Sequence, residues 1–95
     1  MTPKQPLDFT KVESLRRHML LTTTDMSKLF GVSRMTYYGW VRGQALRPSN
    51  DQTVRTMLRR LLTVMNTRHW PTPDVIAATQ QGRFEKLNAV LEEIK

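Results

Sequence analysis

The sequence predicts an all-α protein, a compact bundle of about five to six short helices. Glycine and proline residues divide the 95-residue chain into short segments, each about the length of a globular helix. Within these segments apolar residues recur every three or four positions, which is the spacing of one helical face. No stretch alternates apolar and polar residues as a half-buried strand does. A chain of this length is expected to form one core of modest size.

The first two predicted helices have local start signals. The first is predicted to begin near Thr10, because Thr10 and Glu13 have the spacing of a capping box. The second is predicted to begin after Thr22, with Asp25 as the acidic partner of that cap, and to end at Gly31. The apolar faces are Phe9, Val12, Leu15 and Met19 in the first helix and Met26, Leu29 and Phe30 in the second.

The next two predicted helices are separated by a proline. Ser33 is the expected N-cap of a third helix that extends to about Arg42. Pro48 disfavours helical backbone at Arg47, so the fourth helix is predicted over about residues 50–66. Its apolar stripe consists of Val54, Leu58, Leu61, Leu62 and Met65.

The last part of the chain, residues 67–95, is predicted to be a helical extension of a domain formed by residues 1–66. Thr72 is the expected N-cap of this extension, with Pro73 at the first helical position. The segment after Pro73 is predicted to be helical to its end, with a kink or break at Gly82.

The extension carries an apolar stripe that has two interpretations. The stripe packs on the domain's own core, or it forms a two-fold interface with a second copy of the chain, and we favour the interface. The candidate dimerisation residues are Trp70, Phe84, Leu87, Val90, Leu91 and Ile94. The charges around the stripe are mixed in sign, which makes this region a poor surface for a polyanion.

The excess of basic residues predicts a polyanionic partner. The chain has 15 Lys and Arg residues against 8 Asp and Glu, a net charge of +7. Most of the excess lies in residues 1–47, which contain eight of the bases and three of the acids. Each phosphate that a basic side chain neutralises releases condensed counterions, which favours binding to nucleic acid.

Several classes of function are not expected from the composition. The chain has no Cys, and its two histidines, His18 and His69, are isolated, so we expect no metal site and no cofactor. The sequence has no recognisable set of nucleophile, base and orienting group and no glycine-rich phosphate loop. We therefore do not expect the protein to be an enzyme. The apolar stretches are too short to cross a bilayer and the N-terminus has no signal-peptide pattern, so we expect a cytoplasmic protein.

The segment Leu21–Gly43, with the sequence LTTTDMSKLFGVSRMTYYGWVRG, predicts the function. Its two short helices are joined by a turn at Gly31–Ser33, which is the arrangement of a helix-turn-helix. The side chains expected to pack inward are Met26, Phe30, Val32, Tyr37 and Trp40.

This segment resembles the Cro/repressor-type (Xre-like) family of phage and bacterial DNA-binding regulators, whose domain is lambda-repressor-like. The matching residues are Leu21, Thr22, Gly31, Val32, Ser33, Arg34, Thr36, Trp40, Arg42 and Gly43. The likeness extends over roughly residues 9–66. It implies a transcriptional regulator of a bacterial or phage-infected cell that occupies a two-fold symmetric operator in double-stranded DNA as a homodimer. We favour a repressor, and the sequence leaves an activator open.

The resemblance also implies roles for individual residues, because the second helix of a helix-turn-helix enters the major groove. The base-reading positions are Arg34, Met35, Tyr38 and Gly39. The expected contacts to the DNA backbone come from Thr22, Thr23, Lys28, Ser33, Thr36, Arg42 and Arg47.

Three residues depart from the family's usual pattern. Thr23 occupies a position where relatives often have Gln, and Val41 one where they often have Glu. Gly39 lies inside the predicted recognition helix, where glycine costs roughly 1 kcal/mol relative to alanine. It permits a close approach to DNA or forfeits one base contact, and the sequence leaves both interpretations open.

Two alternatives are weighed against the repressor. The stretch GVSRMTYYGWVRG also resembles the excisionase and MerR-like winged helix, but that fold needs a β-hairpin soon after Gly43, where a fourth helix is predicted instead. The other alternative is a protein-interaction module that keeps the helix-turn-helix but has lost base readout, which Gly39 and Val41 leave open. Such a module would bind any DNA weakly and a protein partner tightly.

Overall fold

The computed structural model describes residues 7–94, which form six helices and no strand. The helices are α1 (Phe9–His18), α2 (Thr23–Phe30), α3 (Arg34–Val41), α4 (Pro48–Thr67), α5 (Pro73–Ala77) and α6 (Gln80–Glu93). The predicted all-α fold is confirmed, and the described part of the chain has no β-hairpin after Gly43. No helix in residues 7–94 combines the length and the apolar character needed to cross a membrane.

One hydrophobic core receives side chains from all six helices. The long helix α4 lies against both α2 and α6, α3 packs on α1 and α2, and α5 packs on α6. The buried side chains are Phe9, Val12, Met19, Leu21, Met26, Phe30, Tyr37, Trp40, Val54, Leu61, Val64, Trp70, Val75, Leu87 and Leu91. Residues beyond position 66 therefore complete the same core as the residues before it.

Two helices begin earlier than the sequence predicts. The N-cap of α1 is Asp8, whose Oδ1 accepts a hydrogen bond from the Thr10 N–H at 3.0 Å, so the predicted cap at Thr10 is wrong. The first residue of α4 is Pro48. Proline is tolerated at the first helical position because an N–H group there would have no partner within the helix, and proline has none. The preceding Arg47 is extended, as predicted.

The buried face of α4 and the break near the end of the chain also differ from the prediction. Leu62 is 44% exposed, and Val64 is buried instead. Thr72 and Pro73 begin α5 as predicted, but the chain breaks before Gly82. The cap of α6 is Thr79, whose Oγ1 accepts the N–H of Gly82 at 3.1 Å.

The predicted dimerisation stripe faces the chain's own core. Leu87 and Leu91 are buried there, and so is Trp70, whose Nε1 donates to the Met19 carbonyl at 2.8 Å. All three side chains are buried within the protomer, so packing on the chain's own core is the interpretation that fits them, and they are not accessible to a second copy. The other candidates are half-buried: Phe84, Val90 and Ile94.

Candidate nucleic-acid interface

Local side-chain caps define α2, α3 and the turn between them. Thr22 Oγ1 accepts a hydrogen bond from the Asp25 N–H at 3.0 Å, and the Asp25 carboxylate accepts one from the Thr22 N–H at 2.9 Å. Gly31 ends α2 with φ of 71°, a left-handed conformation that glycine adopts without steric cost. Ser33 Oγ accepts the Thr36 N–H at 3.1 Å and begins α3. The predicted caps and turn are confirmed.

The inner face of α3 is held by aromatic side chains. Tyr37 and Trp40 are buried, as predicted, and both pack against Phe9 and Phe30. The Phe9 ring centroid lies 5.8 Å from that of Trp40, and the Phe30 centroid lies 6.1 Å from that of Tyr37. Such contacts between tilted rings fix the rotation of α3 about its axis. Val32, in the turn, is half-buried against the same core.

A polar network supports the same helix from α1. The Tyr37 hydroxyl donates to the Glu13 carboxylate at 2.6 Å, and Arg16 Nε donates to it at 2.8 Å. Arg16 also donates to the carbonyl of Leu21, 3.0 Å away, in the connection between α1 and α2. The network therefore joins α1, α3 and the segment that leads into α2.

The network shifts the pKa values of its members in opposite directions. Burial by itself would raise the pKa of Glu13, but hydrogen bonds from Arg16 and Tyr37 and the charge of Arg16 hold that pKa below its ordinary value. Burial and the hydrogen bond to the Glu13 carboxylate raise the pKa of Tyr37. Glu13 is therefore a carboxylate, and Tyr37 a neutral donor to it, throughout the neutral pH range.

The outer face of α3 presents three of the four predicted base-reading side chains. Arg34 is exposed, Met35 is 79% exposed and Tyr38 is 42% exposed. The fourth, Gly39, shares this face with Met35 one turn earlier but is buried rather than exposed. The physical reason is that the side chain of Gln44 lies directly over it.

Most of the predicted backbone-contacting residues lie at the ends of α2, α3 and α4. Thr23 Oγ1 and the Tyr38 hydroxyl are 3.0 Å apart and share a hydrogen bond, which joins the start of α2 to the outer face of α3. Ser33 Oγ donates to Thr36 Oγ1 at 3.0 Å, and Thr22 serves as the cap of α2. Arg42 and Arg47 are exposed near the end of α3 and the start of α4.

Lys28 lies apart from the others. Its Nζ is 5.5 Å from the centroid of the Phe84 ring, so its ammonium group is on the side of α2 that faces α6. Of the residues proposed for the DNA backbone, Lys28 is the one that the structure associates with the C-terminal helix.

Sequence reasoning missed two residues that shape this region. Gln80 donates to the Asp25 carboxylate at 2.8 Å and so connects α6 to the cap of α2. Gln44 covers Gly39 from beyond the end of α3. The only sequence signal for Gln44 is the glycine just before it, which predicts that the chain reverses there.

No model of a protein family, no curated protein and no solved structure matches the chain. Residues 7–94 also contain no group of three or more His, Cys, Asp or Glu side chains placed to hold a metal ion.

Proposed function

We propose that the protein is a sequence-specific regulator of transcription that binds double-stranded DNA with α3 in the major groove. One observation carries the proposal: α3 buries Tyr37 and Trp40 while it exposes Arg34, Met35 and Tyr38 together on its outer face. A helix held by its inner face can present the other face to base edges at low entropic cost. We assign α2, the turn and α3 to a helix-turn-helix on this basis.

Each exposed side chain of α3 suits a different kind of contact with DNA. The guanidinium of Arg34 is assigned to guanine, whose O6 and N7 accept two hydrogen bonds, worth about 1–3 kcal/mol of discrimination. Met35 is assigned to a thymine methyl group, which takes apolar contacts. Tyr38 is assigned to a phosphate or a thymine methyl, with its hydroxyl oriented by Thr23.

The surrounding polar residues are assigned to the sugar-phosphate backbone, where contacts position the protein without reading sequence. They are Thr22, Thr23, Ser33, Thr36, Arg42 and Arg47, whereas Lys28 faces Phe84 of α6 and is left out of this set. The net charge of +7 supports this assignment, and it predicts that binding weakens steeply as salt rises.

We propose that the protein regulates transcription by occupying an operator as a homodimer, in the cytoplasm of a bacterial or phage-infected cell. One recognition helix reads only a few base pairs, so two copies on a two-fold symmetric site are needed for specificity. Leu87 and Leu91 are inside the protomer, so a contribution of α6 to the interface is limited to the half-buried Phe84, Val90 and Ile94.

The test is selection of bound sequences from random duplex DNA, followed by titration of the selected site and of scrambled DNA at two salt concentrations. We expect a symmetric site with half-site centres about 10 bp apart or a multiple of that. Specific binding is expected to be ~10³-fold or more tighter than non-specific binding. Arg34→Ala should relax one position of each half-site. Arg59→Ala, which removes the same charge from an exposed site on α4, should weaken binding without changing preference.

A second candidate function is a protein-interaction module with the same fold. The observation that favours it is the apolar surface of α3, where Met35, Tyr38 and Val41 are 79%, 42% and 36% exposed. Large exposed apolar side chains in one patch are typical of protein interfaces. This candidate predicts that selection enriches no sequence and that salt releases selected and scrambled DNA in parallel.

A further inference from the structure

The side chain of Gln44 covers the glycine inside α3. A Cβ atom at Gly39 would lie 2.1 Å from Oε1 and 2.9 Å from Cδ of Gln44, well inside van der Waals contact. The third-nearest atom, at 3.7 Å, is Cγ of the same side chain. The Gln44 carboxamide therefore occupies the space that a side chain at position 39 would fill.

The end of α3 brings Gln44 back over the helix. Gly43 has φ of 107°, and its N–H donates to the Trp40 carbonyl at 3.0 Å. The Gln44 N–H donates to the Gly39 carbonyl at 2.9 Å. These two bonds form a Schellman motif, which reverses the chain and places the residue after Gly43 against the last turn of the helix.

The Gln44 carboxamide is available to a ligand. Gln44 is exposed, and its side chain makes no hydrogen bond to any residue within positions 7–94. Position 39 lies one helical turn beyond Met35, whose side chain is 79% exposed on the proposed DNA-reading face. A paired donor and acceptor thus lies beside the base-reading residues.

We propose that Gln44 is a specificity-determining residue whose carboxamide recognises adenine in the major groove. The proposal rests on the proposed function, because it extends the same DNA-reading face. A glutamine amide pairs with N6 and N7 of adenine through one acceptor and one donor. Gly39 makes this placement possible, since any larger residue there displaces the carboxamide. This accounts for a glycine inside a helix, where glycine is otherwise unfavourable.

The test compares the base preferences of the wild type, Gln44→Ala, Gly39→Ala and the double variant. Each protein is used to select the sequences that it binds from random duplex DNA. Gln44→Ala is expected to lose a preference for adenine at one position of each half-site, a loss of about 5-fold to 150-fold in discrimination. Gly39→Ala should lose the same preference, because its methyl group displaces Gln44. The double variant should lose no more than either single variant, and the guanine preference assigned to Arg34 should persist in all of them.

Two controls match the variants by residue type. Gln81→Ala and Gly82→Ala change an exposed glutamine and a helical glycine in α6, and both should keep every base preference. Thermal unfolding separates readout from stability. Gly39→Ala should melt no lower than the wild type, because alanine favours helix and the displaced group is the flexible end of an exposed side chain.

The outcomes distinguish this inference from the proposed function. An unchanged adenine preference in Gln44→Ala overturns the role of Gln44 and leaves the regulator intact. A loss in Gln44→Ala that Gly39→Ala does not reproduce also overturns it, since the carboxamide would then read DNA from another position. If the wild type enriches no sequence at all, the proposed function itself fails.

Discussion

The pair α2 and α3 and the pair α5 and α6 contribute to one core but differ in the surface that they leave to solvent. In the first pair, Arg34 and Met35 extend from a helix whose inner face is aromatic. In the second pair, Arg83 turns back and donates to the carbonyls of Val75 and Ile76, which end α5. The second pair uses its arginine to complete its own structure, and the first leaves its arginine exposed.

The ion pairs follow the same division. Near α5 and α6, Lys86 lies 3.3 Å from Asp74, and Arg68 lies 2.8 Å from Glu93. Arg34 and Arg42 have no ion-pair partner within residues 7–94. Exposed ion pairs contribute little to stability. The difference between the two helix pairs is therefore in the net charge that each surface presents to solvent. Positive charge is neutralised where the helices complete the core and is left available around α3, which is the surface that we propose for DNA.

The largest expected effect tests whether the C-terminal pair belongs to the core. Trp70→Ala is expected to lower the free energy of unfolding by about 3–5 kcal/mol, because it removes a buried ring and a buried hydrogen bond to the Met19 carbonyl. Urea denaturation of dilute protein measures this change.

The control for Trp70→Ala is Ile76→Ala in α5. Ile76 is 55% exposed, so its truncation should change the free energy of unfolding by about 0.5 kcal/mol or less. If Trp70→Ala instead leaves the unfolding midpoint unchanged and shifts the oligomeric state, residues beyond position 66 form an interface arm rather than part of the core.

A smaller effect is expected at the polar network that supports α3. Glu13→Gln replaces the carboxylate that accepts hydrogen bonds from Tyr37 and Arg16 with a neutral amide. This change should lower the free energy of unfolding by about 1–2 kcal/mol at pH 7. The folded-state pKa of Glu13 is below its ordinary value, so its contribution to stability is present above the unfolded pKa of about 4.3. That contribution is lost as the pH falls through the lower folded-state value.

The pH dependence is measured by urea denaturation of both proteins from pH 7 down to pH 3. The difference between the wild type and Glu13→Gln should shrink below about pH 4.3, because protonation then removes the same charge from the wild type. Glu92→Gln, at an exposed site on α6, should show little difference at any pH. A Glu13→Gln difference that stays constant down to pH 3 would mean that the charge of Glu13 is not what stabilises α3.

Local signals explain which features the sequence predicted. Thr22, Gly31 and Ser33 each act on backbone groups within a few positions, so their spacing alone predicts the ends of α2 and α3. The start of α1 shows the limit of such signals, since Asp8 and Thr10 are both good caps. The Glu13 carboxylate that would complete the Thr10 box instead accepts hydrogen bonds from Tyr37 in α3 and from Arg16.

The features that the sequence did not predict depend on contacts between distant segments. Leu62 and Val64 both fit an apolar stripe by spacing, and only the tertiary packing of α4 shows that Val64 is the one buried in the core. By spacing alone Leu87 fits a dimer interface as well as a core, and the structure places it in the core. Gln44 covers Gly39 only because the chain reverses after α3, which no helical periodicity describes.

The predictions with the smallest expected effect on stability distinguish the pair α2 and α3 from the pair α5 and α6 most sharply in DNA binding. Ser33 and Thr79 are equivalent caps, each accepting a backbone N–H at 3.1 Å, so Ser33→Ala and Thr79→Ala should each cost about 1 kcal/mol. Only Ser33 lies at the start of the helix proposed to enter the groove. Ser33→Ala should therefore weaken DNA binding several-fold by titration, whereas Thr79→Ala should leave it unchanged at equal folded fraction. Equal losses of affinity in both variants would mean that DNA binding follows overall stability, and the functional distinction between α2–α3 and α5–α6 would have to be abandoned.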